Sequence, residues 1–502
     1  MIGRRSLLIV VSTIITSLLA FVGLFAMTNY LGKDVYGNIS WVLATLGTLN
    51  AVADLGFGSA HIKRVSEGKD EGDCISTYTV IKVALTAFMV VFVFSALLLW
   101  NNVLGGNISS DTWNLVMLFV LYYIMYDLAS IATLTFTARM ETTKAQLVFM
   151  VDPLIRIPLI VFVSINHMTT NDLAYAYVFA AIGVLLVSIF LLRRGSLRWK
   201  RPTLFRSYWK FALPISLIAI AGAVTSNLDK ILIGYFDTPG NVAYYSSAQT
   251  MLGTLGVIGS AVATLTFPSF SRLHSEGNIE SIRKVTHAAE RYISMIGIPA
   301  ATLIILFPTE VCVALFGSQF APAGDTMRFL AITMTLTLLN QVYTSQILGV
   351  NRPDISAKII LGTFALNVVL LLIFIPDSLF GIKMLGLSYT GAAIASVITA
   401  LAVFLSIRLI VRDLTGTKSN PRIIRHLVAG AFAGVAIVGL DQVYPLSGIF
   451  RLIIFSVVTL VAFFAALAAL KEFTREDISY FLDLINPGKM ISYMGDEMKN
   501  QK

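Results

Sequence analysis

Runs of about twenty apolar residues recur along this chain from Leu7 to Leu470, with short polar breaks between them. A run of that length spans the roughly 30 Å hydrocarbon layer of a membrane when it rises about 1.5 Å per residue. Backbone N–H and C=O groups find no water there, so each run must close its own hydrogen bonds as a helix. Only 13% of residues are charged and 56% are hydrophobic, against about a quarter charged in soluble domains. No stretch is long and polar enough for a separate water-soluble domain. The first run follows Met1–Arg5 directly and lacks a small-residue cleavage site, so it reads as a retained first helix. The fold class expected is all-α and integral to the membrane.

Fourteen spans are expected: Leu7–Thr28, Ile39–Ala60, Ile75–Trp100, Thr112–Thr137, Ala145–Ile165, Leu173–Leu192, Phe211–Tyr235, Val242–Phe270, Val285–Phe307, Thr326–Gly349, Ile355–Ile375, Leu387–Ile410, Ile423–Leu440 and Ile449–Leu470. A short extra turn is expected at Val311–Phe316. Thirty of the 37 lysines and arginines fall in the even-numbered loops and the termini, and only Lys33 and Lys383 in the odd loops. That asymmetry places both termini in the cytoplasm of a multi-pass cell-membrane protein. The net charge of +9 then reflects topology and anionic headgroups, not nucleic-acid binding. Cys74 and Cys312 fall near opposite faces, so no disulfide is expected between them. Asn107-Ile-Ser109 is a glycosylation sequon in an external loop, a pattern that also arises by chance.

The chain echoes itself. Gly37-Asn38 matches Gly240-Asn241, Leu46–Leu49 matches Leu252–Leu255, and Arg64–Gly68 matches Arg272–Gly277, at offsets of 203 to 209 residues. Both copies run from an external turn to a cytoplasmic loop, so the repeat is parallel, an arrangement that holds substrate between two halves. The expected organisation is residues 1–192 as an amino-terminal lobe, 193–210 as a basic cytoplasmic linker, 211–410 as a carboxy-terminal lobe, 411–470 as two further helices, and 471–502 as a tail. In the tail, Thr474–Asp477 has capping-box spacing. Ile478, Phe481, Leu482 and Ile485 then share one face, as in a helix lying on the membrane surface or one that binds a soluble partner.

No metal-ligand spacing, nucleophile elbow, phosphate loop or dinucleotide fingerprint occurs, and no cofactor is expected. Charge inside apolar spans is what stands out, because each such group costs about 2.5–3.5 kcal/mol or more at mid-bilayer unless it meets a partner or water. Asp152 and Arg156 stand four apart on one helical face, with Pro153 and Pro158 beside them to kink the helix. Arg156 is either a cavity cation for an anionic headgroup or half of a structural ion pair. Lys82 is either a cavity residue or a lysine reaching the cytoplasmic interface. Asp54 and Asp127 are candidates to pair with it, or to carry a coupling H+ or Na+. Asp229 and Lys230 point about 100° apart, one toward a cavity and one toward a neighbouring helix.

The stretch NLDKILIGYFDTPGNVAYYSSAQ at Asn227–Gln249 resembles the seventh-to-eighth helix signature of polysaccharide and lipid-linked oligosaccharide flippases, in the multidrug/oligosaccharidyl-lipid/polysaccharide exporter superfamily. Leu315–Ile332, Gly349–Pro376, Gly386–Thr399 and the turn LGKDVYGNISWV at Leu31–Val42 fit the same pattern. The resemblance implies two six-helix lobes around a V-shaped cavity that opens alternately to each side, two extra helices, and as cargo an oligosaccharide on an undecaprenyl or dolichyl phosphate or diphosphate. Basic residues lining the cavity, Arg156 with Lys82 and Lys230, then meet the phosphate, with Asp229 and Asp152 beside them. Two departures refine it. Leu7–Thr28 carries no charge, unlike the first helix of peptidoglycan-precursor flippases, and the multidrug branch usually stops at twelve helices. A monomeric transporter is expected rather than an enzyme, since the external loops are too short for a catalytic domain. The rival in the same fold is a cation-coupled exporter of small organic molecules.

Overall fold

The computed structural model describes residues 2–103, 109–194, 199–444 and 448–473. The helices are α1 (Ile2–Ala26), α2 (Lys33–Leu49), α3 (Phe57–Ser66), α4 (Glu71–Asn102), α5 (Ser110–Ala138), α6 (Thr142–Ile165), α7 (Thr170–Arg194), α8 (Phe205–Phe236), α9 (Pro239–Ser275), α10 (Ile279–Leu306), α11 (Pro308–Phe316), α12 (Ala323–Gly349), α13 (Pro353–Phe374), α14 (Ser388–Thr415), α15 (Arg422–Val443) and α16 (Gly448–Ala469). A two-residue antiparallel hairpin, β1 (Ser378–Leu379) with β2 (Ile382–Lys383), joins α13 to α14. Polar side chains start the helices where the apolar runs break. Asp70, Ser109, Thr238 and Asn278 each accept a backbone N–H in the first turn of the helix that follows, which satisfies donors that the helix itself cannot.

Among the described residues, eleven helices are long and apolar enough to cross a membrane, or twelve if α2 and α3 count as one bent span. The expected total of fourteen is therefore not reached on length and apolarity. α12 is 27 residues long, but threonines, Asn340 and Gln346 dilute its apolar character, and Asn340 and Gln346 are buried inside the bundle. The expected turn near Val311 is the nine-residue helix α11. The sequon at Asn107 and the tail beyond residue 473 lie outside the described residues, as do 195–198 of the basic linker.

The expected second span is broken. A 3-10 turn at Asn50–Ala53 and left-handed Gly56 (φ 79°) separate α2 from α3, which are bent by 47°. Asp54 makes the break stable, accepting the N–H groups of Gly56 and Gly58 at 3.2 Å each. Arg291 and Arg408, inside the expected ninth and twelfth spans, lie in α10 and α14 and pair with acids, Glu472 and Glu290 respectively. An arginine taken from water needs such a partner.

Two lobes result. α1 packs on α6, and α5 and α6 on α7; α9 and α14 pack on α12, and α13 on α14. α15 and α16 pack on each other and on α10. Gly430 and Gly434 let α15 approach closely, since a Cβ there would stand 2.8 and 2.9 Å from Ile298 and Leu306 of α10; small residues do this in membrane bundles. Cys74 and Cys312 are both buried free thiols.

The lobes meet at the lysine-poor end. A Cβ on Gly37 of α2 would lie 2.1 Å from the Pro239 carbonyl oxygen, and one on Gly240 of α9 would lie 2.3 Å from Asp34. The two glycines matched in the sequence repeat thus face each other across the seam. Asn29 donates to the Leu315 carbonyl at 2.9 Å, and Gln319 to the Thr28 carbonyl at 3.0 Å. Leucine at position 37 cannot fit without parting α2 from α9. Gly37→Leu is therefore expected to lengthen the distance between spin labels at Asp111 and Asp325, one on each lobe, as read by pulsed EPR. An unchanged distance would mean that this seam does not hold the lobes together.

At the basic end, α8 is tied to the amino-terminal lobe instead. Tyr208 donates to the Cys74 carbonyl at 3.2 Å and bonds His61 at 3.0 Å. Arg64 donates to the Ser207 carbonyl at 3.1 Å, and Lys200 pairs with Asp70 at 2.6 Å. The Lys200 hydrogen bond holds the Asp70 carboxyl below its usual range.

Candidate functional site

Between the lobes, α1, α2, α6, α7, α8 and α9 enclose a cavity of about 260 Å³. Two of the spans' unusual charges, Arg156 and Lys230, line it together with Tyr36, Tyr177, Asn227 and Thr250. The helices that carry these two cations belong to different lobes.

Arg156 stands between Pro153 and Pro158 in a helix that runs unbroken through both. Its Nε donates to Asp152 Oδ2 at 3.0 Å and its Nη2 to the same oxygen at 2.7 Å. Its guanidinium lies over the Tyr177 ring, 4.8 Å from the centroid. The arginine side chain keeps 22% of its surface exposed and Asp152 only 8%. The carboxylate therefore lies behind the cation, and the guanidinium is the group presented to the cavity. Arg156 and Asp152 also line a second cavity, of about 460 Å³, with Thr16, Ser17, Tyr126 and Thr133.

Lys230 makes no ion pair or side-chain hydrogen bond among the described residues, whereas its neighbour Asp229 turns the other way. Asp229 is buried, accepts from Gln249 Nε2 at 3.3 Å, and lines a separate cavity of about 340 Å³ within the carboxy-terminal lobe. The inter-lobe cavity thus holds two cations, Arg156 paired with Asp152 and Lys230 with no side-chain bond among the described residues. In a low-dielectric setting cations so placed favour an anion.

Lys82 and Asp127 do not join this site. Lys82 donates to Asp127 at 2.7 Å and to the Ala53 carbonyl at 2.9 Å, and both side chains are buried, 3% and 7% exposed. They link α4, α5 and the turn after α2. Asp54 caps α3, as described above. The sequence reading missed the tyrosines of the cavity, which apolar runs hide. It also missed a buried network in the other lobe, where Glu290 accepts from Tyr343 at 2.7 Å and pairs with Arg408. Arg408 in turn stacks on Phe404, 3.4 Å from the ring centroid. The only available signal was the presence of Glu290 near the start of an apolar run.

The architecture and its inter-lobe cavity define a polytopic helical membrane protein of two lobes. The chain superposes on the lipid II flippase MurJ in an inward closed conformation with a TM-score of 0.75, at 12% identity, covering 95% of this chain and 99% of that one. It superposes on an inward-facing multidrug resistance MATE family transporter of the MOP superfamily at 0.64, with 15% identity over 80% of this chain and 96% of the other. An outward-facing MATE structure gives 0.55, at 16% identity over 83% of this chain and 97% of the other. Residues 2–274 match the model of the polysaccharide biosynthesis protein family, and the chain belongs to that family. Among its relatives is the probable low-salt glycan biosynthesis flippase Agl15 of Haloferax volcanii, 23% identical over 399 residues, which covers 79% of this chain and 80% of that protein.

Proposed function

We propose that this protein flips an oligosaccharide linked to a polyprenyl phosphate or diphosphate from the cytoplasmic to the external leaflet, by alternating access, for cell-surface glycan synthesis. The observation that carries the reading is the pairing of Arg156 with an unpartnered Lys230 in a cavity between the lobes. A phosphate crossing the bilayer must give up its water, and two cations offset that cost. The step forms and breaks no covalent bond.

Two apolar cavities support the reading. One of about 740 Å³ lies between α10, α12 and α15, and one of about 820 Å³ lies among α1, α9, α10, α11 and α16. Neither holds a charged side chain, so each suits a hydrocarbon tail and neither suits a headgroup. With both termini cytoplasmic, as the lysine and arginine distribution favours, the sealed lysine-poor end faces outward and the site loads from the cytoplasm. Outward movement of a negative charge then gains about 2.3 kcal/mol per 100 mV of inside-negative potential. Asp54 caps α3, and one oxygen of Asp127 pairs with Lys82 while the other has no partner among the described residues, so Asp127 is the better candidate of the two to carry a coupling H+ or Na+. A monomer suffices, because one chain supplies both walls of the cavity.

The test is a proteoliposome assay with a fluorescent polyprenyl-diphosphate oligosaccharide and, in parallel, a cationic dye of the kind drug exporters move. Leaflet transfer of the lipid without dye transport is expected. Dye transport without lipid transfer would favour the small-molecule exporter instead.

A further inference from the structure

The cavity on the far side of α8, about 340 Å³, has a chemistry of its own. Its threonine hydroxyls have spent their hydrogens on their own helices, while the Tyr245 hydroxyl bonds Ser396 at 3.3 Å. Thr225 donates to the Ala221 carbonyl at 2.7 Å, Thr337 to Thr333 at 2.9 Å, Thr363 to Ile359 at 2.7 Å, and Thr399 to Ala395 at 2.9 Å. Gln249 Nε2 donates to Asp229 and Asn367 Nδ2 to Thr399, each at 3.3 Å, which leaves each amide one further N–H. The lining thus offers a ligand mainly oxygen lone pairs, those of the hydroxyls, the two amide oxygens and the Asp229 carboxylate, with two amide N–H donors among them. No lysine or arginine lines this cavity.

A surface rich in acceptors, with one negative charge and a few N–H and O–H donors, suits a ligand that brings many O–H groups and no anionic group. A phosphate, which only accepts, is repelled by Asp229 and belongs in the Arg156–Lys230 cavity. A neutral sugar ring, with a donor on most carbons, is the complement. There is room for it, because a Cβ on Gly253, which lines the cavity, would meet nothing within 4 Å. We propose that this pocket is a saccharide subsite that takes an uncharged, hydroxyl-rich residue of the cargo. α8 and α9 contribute to both cavities. The inference rests on the flippase reading and adds to it a recognition element for the glycan.

The experiment compares binding of two probes to the purified full-length protein: polyprenyl diphosphate alone, and the same lipid bearing a neutral trisaccharide. The variant is Thr363→Val/Asn367→Leu, which removes acceptors without adding charge, with thermal unfolding measured alongside. Wild type is expected to bind the glycosylated lipid more tightly than the bare one. The variant is expected to lose about tenfold on the glycosylated lipid only, the scale of one or two hydrogen bonds, at unchanged melting temperature. Equal loss on both lipids, or no loss, would overturn the subsite and leave the flippase reading standing. Failure of wild type to bind either lipid would overturn both. A loss seen in sodium buffer but not in choline buffer would assign the pocket to a cation and also overturn the proposal. Because Thr363→Val is isosteric and Asn367→Leu nearly so, a variant that fails to fold is replaced by Thr363→Val alone, read by the same ratio of the two affinities.

Discussion

Arg156→Ala lowers flipping of the lipid-linked glycan by about a hundredfold or more, the scale on which a single charged donor acts in a dehydrated site, while the protein still reaches the membrane. Leaflet transfer in proteoliposomes, normalised to inserted protein, reads the effect. Arg156→Lys falls between the two: it keeps the charge but gives up the forked contact with Asp152 and the stacking over Tyr177, and the two cations are not interchangeable at such a site. Asp152→Asn separates function from scaffolding. If Arg156 serves the cargo, freeing the guanidinium from its partner leaves glycolipid affinity intact or raises it. If the pair only braces α6, Asp152→Asn is as damaging as Arg156→Ala, and the assigned role of Arg156 fails.

Lys82→Met unfolds or strongly depletes the protein. Lys82 and Asp127 form a nearly closed pair, and removing one partner leaves an unpaired buried charge at a cost of about 3–5 kcal/mol. That is a large share of the 5–15 kcal/mol by which proteins are usually stable. The double variant Lys82→Met/Asp127→Leu removes both charges and is expected to restore yield and melting temperature to near wild type, and flipping with them. Restored folding with no flipping would instead mean that the pair takes part in transport. The contrast with Arg156 is geometric: Lys82 has its whole headgroup engaged by Asp127 and the Ala53 carbonyl, whereas Arg156 keeps an open face to the cavity.

Much of this molecule is legible without coordinates because the bilayer simplifies the problem. Backbone in hydrocarbon is helical, so the apolar runs locate most helices, and the breaks among Asp70, Ser109 and Thr238 show as polar caps. The repeat was legible in Gly37 and Gly240, although their mutual contact was not. The bend at Asp54–Gly56 was missed because apolarity continues through it. The acids that meet Arg291 and Arg408 were not legible, because hydropathy counts a charge without knowing which distant residue neutralises it.

The sequence by itself determined that the chain is a bundle of membrane helices in two related halves, and which few charges had to be explained. It did so because water and hydrocarbon sort residues by type regardless of what they touch. Only the tertiary structure decided which partner each charge has. Helix rotation turned Lys230 toward Arg156 and Asp229 away from it, and packing closed Lys82 onto Asp127. Those choices depend on contacts between residues far apart in the chain, where a rotation of about 100° per residue exchanges a cavity for a core.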